Sequence, residues 1–103
     1  MIDPKIQDAF EMYIKKLKKR IREYYLKNYP MLDIPEVHYK KGRKWWAVRE
    51  ENHAHSFVDM ETGDIFKPAT YRAPAKHARG NILSPYWGME ALNPNDYYVR
   101  YLR

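Results

Sequence analysis

The chain has no cysteine, only four glycines and no long apolar run among its 103 residues. The lack of cysteine excludes a disulfide framework, thiolate zinc sites and cysteine nucleophiles. With so few glycines, no Walker or Rossmann phosphate-binding fingerprint is present. No apolar stretch approaches the roughly 18 residues that span a bilayer, and the N-terminus lacks the pattern of a signal peptide. We therefore expect an intracellular protein with no membrane partner.

Length and charge indicate one small basic domain. The 103 residues fit a single domain over residues 1–103, since domains usually run from about 50 to 250 residues. The net charge is +6, and a basic surface attracts phosphate backbones. The ten tyrosines and three tryptophans could stack on unpaired bases, anchor a protein interface or fill a small core.

Residues 3–28 carry the clearest helical signal. Asp3 suits an N-cap and Pro4 the first helical position, while Pro30 disfavours helical geometry in the residue before it, so the helix should end near Asn28. Spacings of three and four predict one apolar stripe made of Ile6, Phe10, Tyr13, Ile14, Leu17, Ile21, Tyr24 and Tyr25. This stripe could face the chain's own sheet or a second copy, which leaves a homodimer through the helix open.

Residues 36–103 have a β-rich pattern. Strand-forming residues predict a short edge strand around residues 34–39, then strands at 44–49, 53–60, 64–67 and 97–102. Gly63 suits the left-handed position of the hairpin turn between two of them. Pro74 at its start and Gly80 at its end predict a short helix near 74–79.

These elements predict an α+β fold, with a long N-terminal amphipathic helix packed on an antiparallel β-meander of four or five strands. The helix stripe should share a core with one inward residue or more from each strand. The candidates are Trp46 or Trp45, Val48, Phe57 or Val58, Ile65 or Phe66, Val99 and Tyr101.

One face of the predicted helix is strongly basic. Six cations fall within positions 15 to 22, more than the nearby acids can pair. This face is either a phosphate-contacting surface or an ordinary solvated one. The residues we assign to nucleic-acid contact here are Lys15, Lys18, Lys19 and Arg22.

The segment between Asp64 and Glu90 contains no acidic residue. Its basic residues are Lys67, Arg72, Lys76, His77 and Arg79. On a short helix, Lys76 and Arg79 would share a face and could reach one anion together, and Tyr71 and Trp87 could stack on bases. We take this segment as the preferred nucleic-acid-binding site.

The same region resembles a family of small proteins from tailed bacteriophages. The similarity lies in a pattern of the form Phe-Val-Asp…Thr-Gly-Asp-Ile…Lys-Pro-Ala…Pro-Ala-Lys…Arg-Gly-Asn-Ile, here within residues 55–70 and 73–82. It covers roughly a quarter to a third of the chain and leaves the helix outside. The resemblance implies a viral origin and a location in the host cell cytoplasm, and it brings no activity with it.

Metal binding and catalysis have weaker candidates. His53 and His55 are two apart, so on a strand they could share a metal, but no further ligand has suitable spacing. His77 could act in acid–base chemistry with Asp59 or Asp64, although those carboxylates also suit the backbone N–H groups of a hairpin turn. We therefore expect that the protein has no metal site, no cofactor and no enzymatic activity.

The leading prediction is a phage-encoded, non-catalytic, nucleic-acid-binding accessory protein. The first alternative is a host-takeover or anti-defence protein that binds and inhibits an acidic bacterial protein. The second alternative is a component of the virion.

Overall fold

The computed structural model describes residues 2–101. The elements, in chain order, are α1 (Pro4–Asn28), β1 (Val37–Lys41), β2 (Trp45–Glu50), β3 (His53–Asp59), β4 (Asp64–Pro68), β5 (Pro74–Asn81) and a short 3-10 helix (Met89–Ala91). The five strands form one antiparallel sheet in the order β1-β2-β3-β4-β5. The predicted α+β fold is confirmed.

Helix α1 begins and ends where its local signals place it. The Asp3 carboxylate accepts a hydrogen bond from the Lys5 N–H at 2.8 Å, and the Tyr29 N–H closes the last turn on the Tyr25 carbonyl at 2.7 Å. The buried helix residues are Ile6, Ala9, Phe10, Tyr13, Ile14, Leu17 and Ile21. Most of the predicted apolar stripe is therefore used within the chain, which removes the stripe as an argument for a homodimer.

One face of the sheet packs against α1. Trp46, Val58 and Ile65 are cross-strand neighbours on three successive strands, and all three belong to the main core. The Phe10 ring stacks on Trp46 with centroids 3.9 Å apart. Of the alternatives that the sequence left open, Trp46 and Ile65 therefore belong to the core, whereas Trp45 and Phe66 do not. Phe57 and Val58 are both buried, but only Val58 joins the core under the helix.

The prediction of a short helix near 74–79 is wrong, because these residues form strand β5. The Thr70 hydroxyl accepts hydrogen bonds from the N–H groups of Arg72 and Ala73, and this turn brings the chain back antiparallel to β4. A single helical turn offers few internal hydrogen bonds, whereas pairing with β4 satisfies the backbone along the segment. Gly80 is no helix cap; a Cβ there would lie 2.9 Å from the Ala91 Cβ, so its small size lets the 3-10 helix approach.

The predicted final strand at 97–102 is also wrong over its described part. Only one isolated bridge, between Leu92 and Val99, forms in this segment. Tyr97 and Val99 are buried as expected, but Tyr101 is 76% exposed and does not belong to the core. The backbone N–H groups of Asn93 and Arg100 bond within residues 91–100, to the Tyr98 and Ala91 carbonyls, so this segment does not add a strand to the sheet. Leu102 lies outside the described residues.

Candidate nucleic-acid interface

The predicted basic cluster does not converge on one surface. Lys76 and Arg79 lie on a strand, so their spacing of three no longer gives them the common face that a helix would. Lys76 and His77 are exposed on β5, whereas Arg79 is partly buried and its guanidinium donates to the His77 carbonyl.

Lys67 and Arg79 are turned toward the C-terminal tail. The Lys67 ammonium donates to the Val99 carbonyl at 2.8 Å and lies 4.1 Å from the centroid of the Tyr101 ring. Burial, and then the nearby Arg79 cation, lower the pKa of Lys67 below its ordinary value. The Arg79 Nε is buried without a hydrogen-bond partner among the described residues. These two cations are packed into the protein instead of forming an open phosphate-binding row.

The two predicted stacking residues lie apart. Trp87 is beside α1, where the Lys16 ammonium lies 4.8 Å from the centroid of its indole ring. Tyr71 is in the loop between β4 and β5 and contacts Arg49 of strand β2. They cannot flank one binding site in the way the sequence suggested.

The predicted helix cations form a separate basic surface. Lys15, Lys18, Lys19 and Arg22 are all exposed, because the opposite side of α1 is buried in the core. Arg20 is partly buried, and its guanidinium donates to the Asn93 carbonyl at 2.8 Å. The exposed helix cations therefore face away from the sheet.

The other face of the sheet is not covered by the helix. Side chains alternate along a strand, so the neighbours of the core residues on β1 to β4 point away from α1. We call this surface, together with two residues of the 69–73 loop, the open sheet face; its residues are His38, Lys40, Trp45, Ala47, Arg49, Phe57, Asp59, Asp64, Phe66, Tyr71 and Arg72.

Arg49 and Tyr71 form the most distinctive contact of the open sheet face. The Arg49 guanidinium carbon lies 3.7 Å from the centroid of the Tyr71 ring, a close cation–π arrangement. The Arg49 Nη1 is buried and has no hydrogen-bond partner among the described residues, yet Tyr71 itself is 52% exposed. Tyr71 therefore covers the guanidinium with one side of its ring and presents the remainder to solvent.

Trp45 is the second aromatic of this surface. It is partly exposed and meets the Phe66 ring edge to face, with centroids 5.2 Å apart. The Lys44 ammonium lies 4.9 Å from the centroid of its ring. Phe66 thus restrains the Trp45 indole ring from the sheet side. The Lys44 side chain lies beside the same ring on the solvent side.

The open sheet face contains a positively charged concavity. Its volume is about 530 Å³, and its lining residues are His38, Lys40, Arg49, Tyr71 and Arg72. Neither carboxylate of the open sheet face is among these lining residues: Asp59 accepts from the N–H groups of Glu61 and Thr62, and Asp64 accepts from the Asn81 amide at 2.9 Å. An anion in this concavity would therefore meet the side chains of Lys40, Arg49 and Arg72 and no lining carboxylate.

Sequence reasoning placed Tyr71 and Arg72 in the site but missed Lys40, Trp45 and Arg49. The alternation on β2 carried a signal, because two consecutive tryptophans on a strand must point to opposite faces. If Trp46 is in the core, Trp45 and Arg49 share the outer face. The inward face could be assigned only once the position of the helix was known.

The two histidines considered for a metal, His53 and His55, are separated by a bulge. Val48 pairs with Ser56 and Arg49 pairs with Ala54, so His55 is the extra residue of β3 and no longer shares the environment of His53. His55 is only 2% exposed, whereas His53 is exposed. Within residues 2–101, no group of three or more His, Asp or Glu side chains could hold a metal ion.

His55 belongs to a buried hydrogen-bond network. Its Nε2 lies 2.6 Å from the Tyr97 carbonyl, which requires that nitrogen to donate, and its Nδ1 then accepts from the Ser56 hydroxyl at 3.0 Å. The Tyr13 hydroxyl lies 2.7 Å from the same Ser56 oxygen. Burial lowers the pKa of His55 to about 4. Since Ser56 is fully buried, this serine–histidine pair is closed to a substrate and serves the core.

Glu50 and Tyr97 extend the network on the same side of the sheet. The Tyr97 hydroxyl donates to the Glu50 carboxylate at 2.6 Å, and this bond satisfies a carboxylate that is only 5% exposed. Burial raises the pKa of Glu50 above its ordinary value, and the Tyr97 hydrogen bond works against that rise.

The chain matches the model of a family of unknown function (DUF7717) over residues 1–102. Since this match covers nearly the whole chain, the protein belongs to that family. Comparison with curated proteins and with solved structures gave no match. The one long helix of residues 2–101 is too polar to cross a bilayer.

Proposed function

We propose that this protein binds nucleic acid, without catalysis, through its open sheet face. The observation that carries the proposal is a sheet surface that the helix does not cover, on which Trp45 and the Arg49–Tyr71 pair lie beside the cations Lys40, Lys44 and Arg72. Lysine and arginine side chains gain affinity by neutralising phosphates and releasing counterions, and exposed aromatic rings add contacts to bases. This surface takes the place of the 67–79 cluster that the sequence favoured.

The charge of this surface gives a direct test. The double variant Lys40→Gln, Arg72→Gln removes two exposed cations of the concavity. Each phosphate contact that is lost should lower the slope of log affinity against log salt concentration by about 0.7 to 0.9. Fluorescence anisotropy with a labelled oligonucleotide, between 50 and 200 mM salt (roughly the range over which such contacts weaken), measures both slope and affinity.

The matched control is Lys15→Gln, Lys19→Gln on the exposed side of α1. It removes the same net charge from the opposite surface, so it reports the general effect of charge. We expect a clearly smaller change in slope for this control. Equal losses in the two double variants would place binding elsewhere, and affinity that does not depend on salt would end the proposal.

We also propose that the protein is phage-encoded and acts in the host cell cytoplasm. What supports this is the resemblance of residues 55–70 and 73–82 to small proteins of tailed bacteriophages. A virion component would have the same resemblance, and mass spectrometry of purified particles separates the two roles.

A second candidate function is binding of a bacterial protein, as expected of a host-takeover or anti-defence protein. One observation favours it: large apolar side chains are exposed where α1 ends, with Met31 at 94% and Leu32 at 60% exposure beside Leu26 and Tyr29. Exposed apolar groups that cluster are typical of interaction sites. A stoichiometric protein partner that survives nuclease treatment of the lysate, and is lost from Met31→Ser, Leu32→Ser, would favour this function.

A further inference from the structure

We propose that the nucleic acid is single-stranded and that its bases stack on Trp45 and Tyr71. This inference rests on the proposed function and specifies the ligand of the same surface. The sequence did not show that Trp45 and Tyr71 share one surface, because Trp45 is on β2 and Tyr71 is in the loop between β4 and β5, and only the fold brings them to the same face of the sheet.

The spacing of the two rings suits a strand lying along β2. Trp45 and Arg49 point to the same side of β2 and are four residues apart, so about 13 Å separates their positions. The Tyr71 ring lies directly on Arg49. Two aromatic surfaces therefore stand near opposite ends of the strand, with the small side chain of Ala47 between them.

The side chains between the Trp45 and Tyr71 rings project little from the sheet. Lys40, Ala47, Phe57 and Phe66 form one cross-strand row, and Phe57 is only 3% exposed. An extended chain that lies along β2 therefore crosses this row between the two rings, over Ala47 and the buried Phe57. Lys40 and Arg72, both exposed at the margin, are placed to contact phosphates.

A duplex fits this surface poorly. Its bases are stacked on each other and offer only their edges, in grooves that are read by a projecting helix or ribbon. The open sheet face has no such projection, because α1 packs on the other side of the sheet. Unpaired bases can leave the stack and lie on aromatic rings, as they do on the sheets of single-strand-binding domains.

Both rings are already held in place before any ligand arrives. Phe66 meets Trp45 edge to face at 5.2 Å, and Arg49 lies 3.7 Å from the Tyr71 centroid. Binding therefore requires little ordering of these side chains, which reduces the entropic cost of association. A base could stack on the open side of Tyr71 while Arg49 remains on the other.

The test compares a ten-nucleotide oligothymidine with a ten-base-pair duplex, using Trp45→Leu and Tyr71→Leu. Leucine keeps apolar bulk but offers no ring, and Tyr71 is in a loop away from the core, so we expect its variant to fold. The controls are Trp87→Leu, which removes an exposed ring beside α1, and Tyr86→Leu, which removes the exposed ring of the preceding residue. Far-ultraviolet circular dichroism confirms that each variant is folded.

We expect the single strand to bind more tightly than the duplex. Each variant of the open sheet face should weaken single-strand binding about 5- to 150-fold, which corresponds to one stacked base, whereas the controls should stay within about twofold of wild type. Quenching of tryptophan fluorescence by the oligothymidine should be reduced in Trp45→Leu and retained in Trp87→Leu.

The outcomes separate this inference from the proposed function. Salt-dependent binding in which the duplex binds as tightly as the single strand, or in which Trp45→Leu and Tyr71→Leu bind like wild type, would overturn base stacking and leave nucleic-acid binding standing. Binding of neither oligonucleotide would overturn both.

Discussion

Acidification from pH 6.5 to pH 4 is expected to remove roughly 3 kcal/mol of folding free energy through His55 alone. Its imidazole is buried and neutral, with a pKa of about 4 in the folded chain against an ordinary value of 6.5. Between these values the unfolded chain binds a proton that the folded chain excludes. The contribution is therefore complete above about pH 6.5 and is lost as the pH falls through the folded pKa.

Glu50 opposes this trend. Burial raises the pKa of its carboxyl group, so the folded chain takes up a proton on Glu50 more readily than the unfolded chain does, and acid relieves the burial of its charge. The pH dependence of the wild type is the sum of these and other groups. The His55 contribution is isolated by comparison with His55→Gln, which cannot titrate but keeps an amide able to donate toward the Tyr97 carbonyl.

Urea unfolding at several pH values between 4 and 7 measures the effect. We expect His55→Gln to be less stable than wild type at pH 7 and to lose less stability on acidification. His53→Gln, which removes an exposed imidazole from the same strand, is the comparison variant, and we expect the smaller loss on acidification in His55→Gln to exceed any change it causes. A His55→Gln variant that loses as much stability as the wild type would show that His55 is not buried in its neutral form.

The helix was predictable because its signals are local. Asp3 and Pro4 mark the start, Pro30 follows the end, and the spacing of three and four selects the buried side. All of these depend on residues within one or two turns of each other. The structure matches this prediction closely, from the Asp3 cap to the final residue Asn28.

Strand β5 was not predictable in the same way. Pro74 and Gly80 have the placement of helix boundaries, and nothing within residues 74–80 contradicts them. What decides the conformation is the neighbouring strand β4, which offers a row of backbone partners across a five-residue loop. Long-range pairing prevails over local preference here, and it moves Lys76 and Arg79 out of the common face on which the sequence-based site depended.

Several residues on which the proposed phage resemblance depends have structural roles in one turn. Asp59 caps the turn between β3 and β4, and Gly63 takes the left-handed conformation there, with φ +81°. The Asn81 amide donates to the Thr62 carbonyl and to the Asp64 carboxylate, which ties β5 to this turn. These contacts therefore fix the relative positions of β3, β4 and β5. The open sheet face is one surface of the same sheet.

The site depends on contacts that sequence alone could not supply. Arg49 and Tyr71 are 22 positions apart and on different elements, yet they form the closest cation–π contact described. The sequence showed that the segment between Asp64 and Glu90 has no acidic residue. It did not show on which side of the sheet each cation of that segment lies. Because side chains alternate along a strand, the sequence shows which residues of a strand share a face. Only the position of α1 decides which of the two faces is left uncovered.

Gly88→Ala is expected to lower the free energy of unfolding by roughly 2 to 4 kcal/mol, from backbone strain together with overpacking. Gly88 has φ +87° and is buried beneath α1 and β4; a Cβ there would overlap the Ile65 side chain and lie 3.1 Å from the Tyr13 ring. Both neighbours are fully buried, so neither can move aside without disturbing the core. Trp87, just before it, also has a positive φ of 50°, which leaves the turn no freedom to absorb the change.

Urea unfolding followed by tryptophan fluorescence measures this loss. Gly42→Ala is the matched control, because Gly42 is exposed and its Cβ would meet only the Trp45 carbonyl, at 3.2 Å; we expect a change below about 1 kcal/mol. Single-strand binding by Gly88→Ala should be unchanged while the variant is folded, because Gly88 lies on the helix side of the sheet. A stability close to wild type would mean that the 3-10 segment is not seated on Ile65 and Tyr13, and that this side of the core is looser than described.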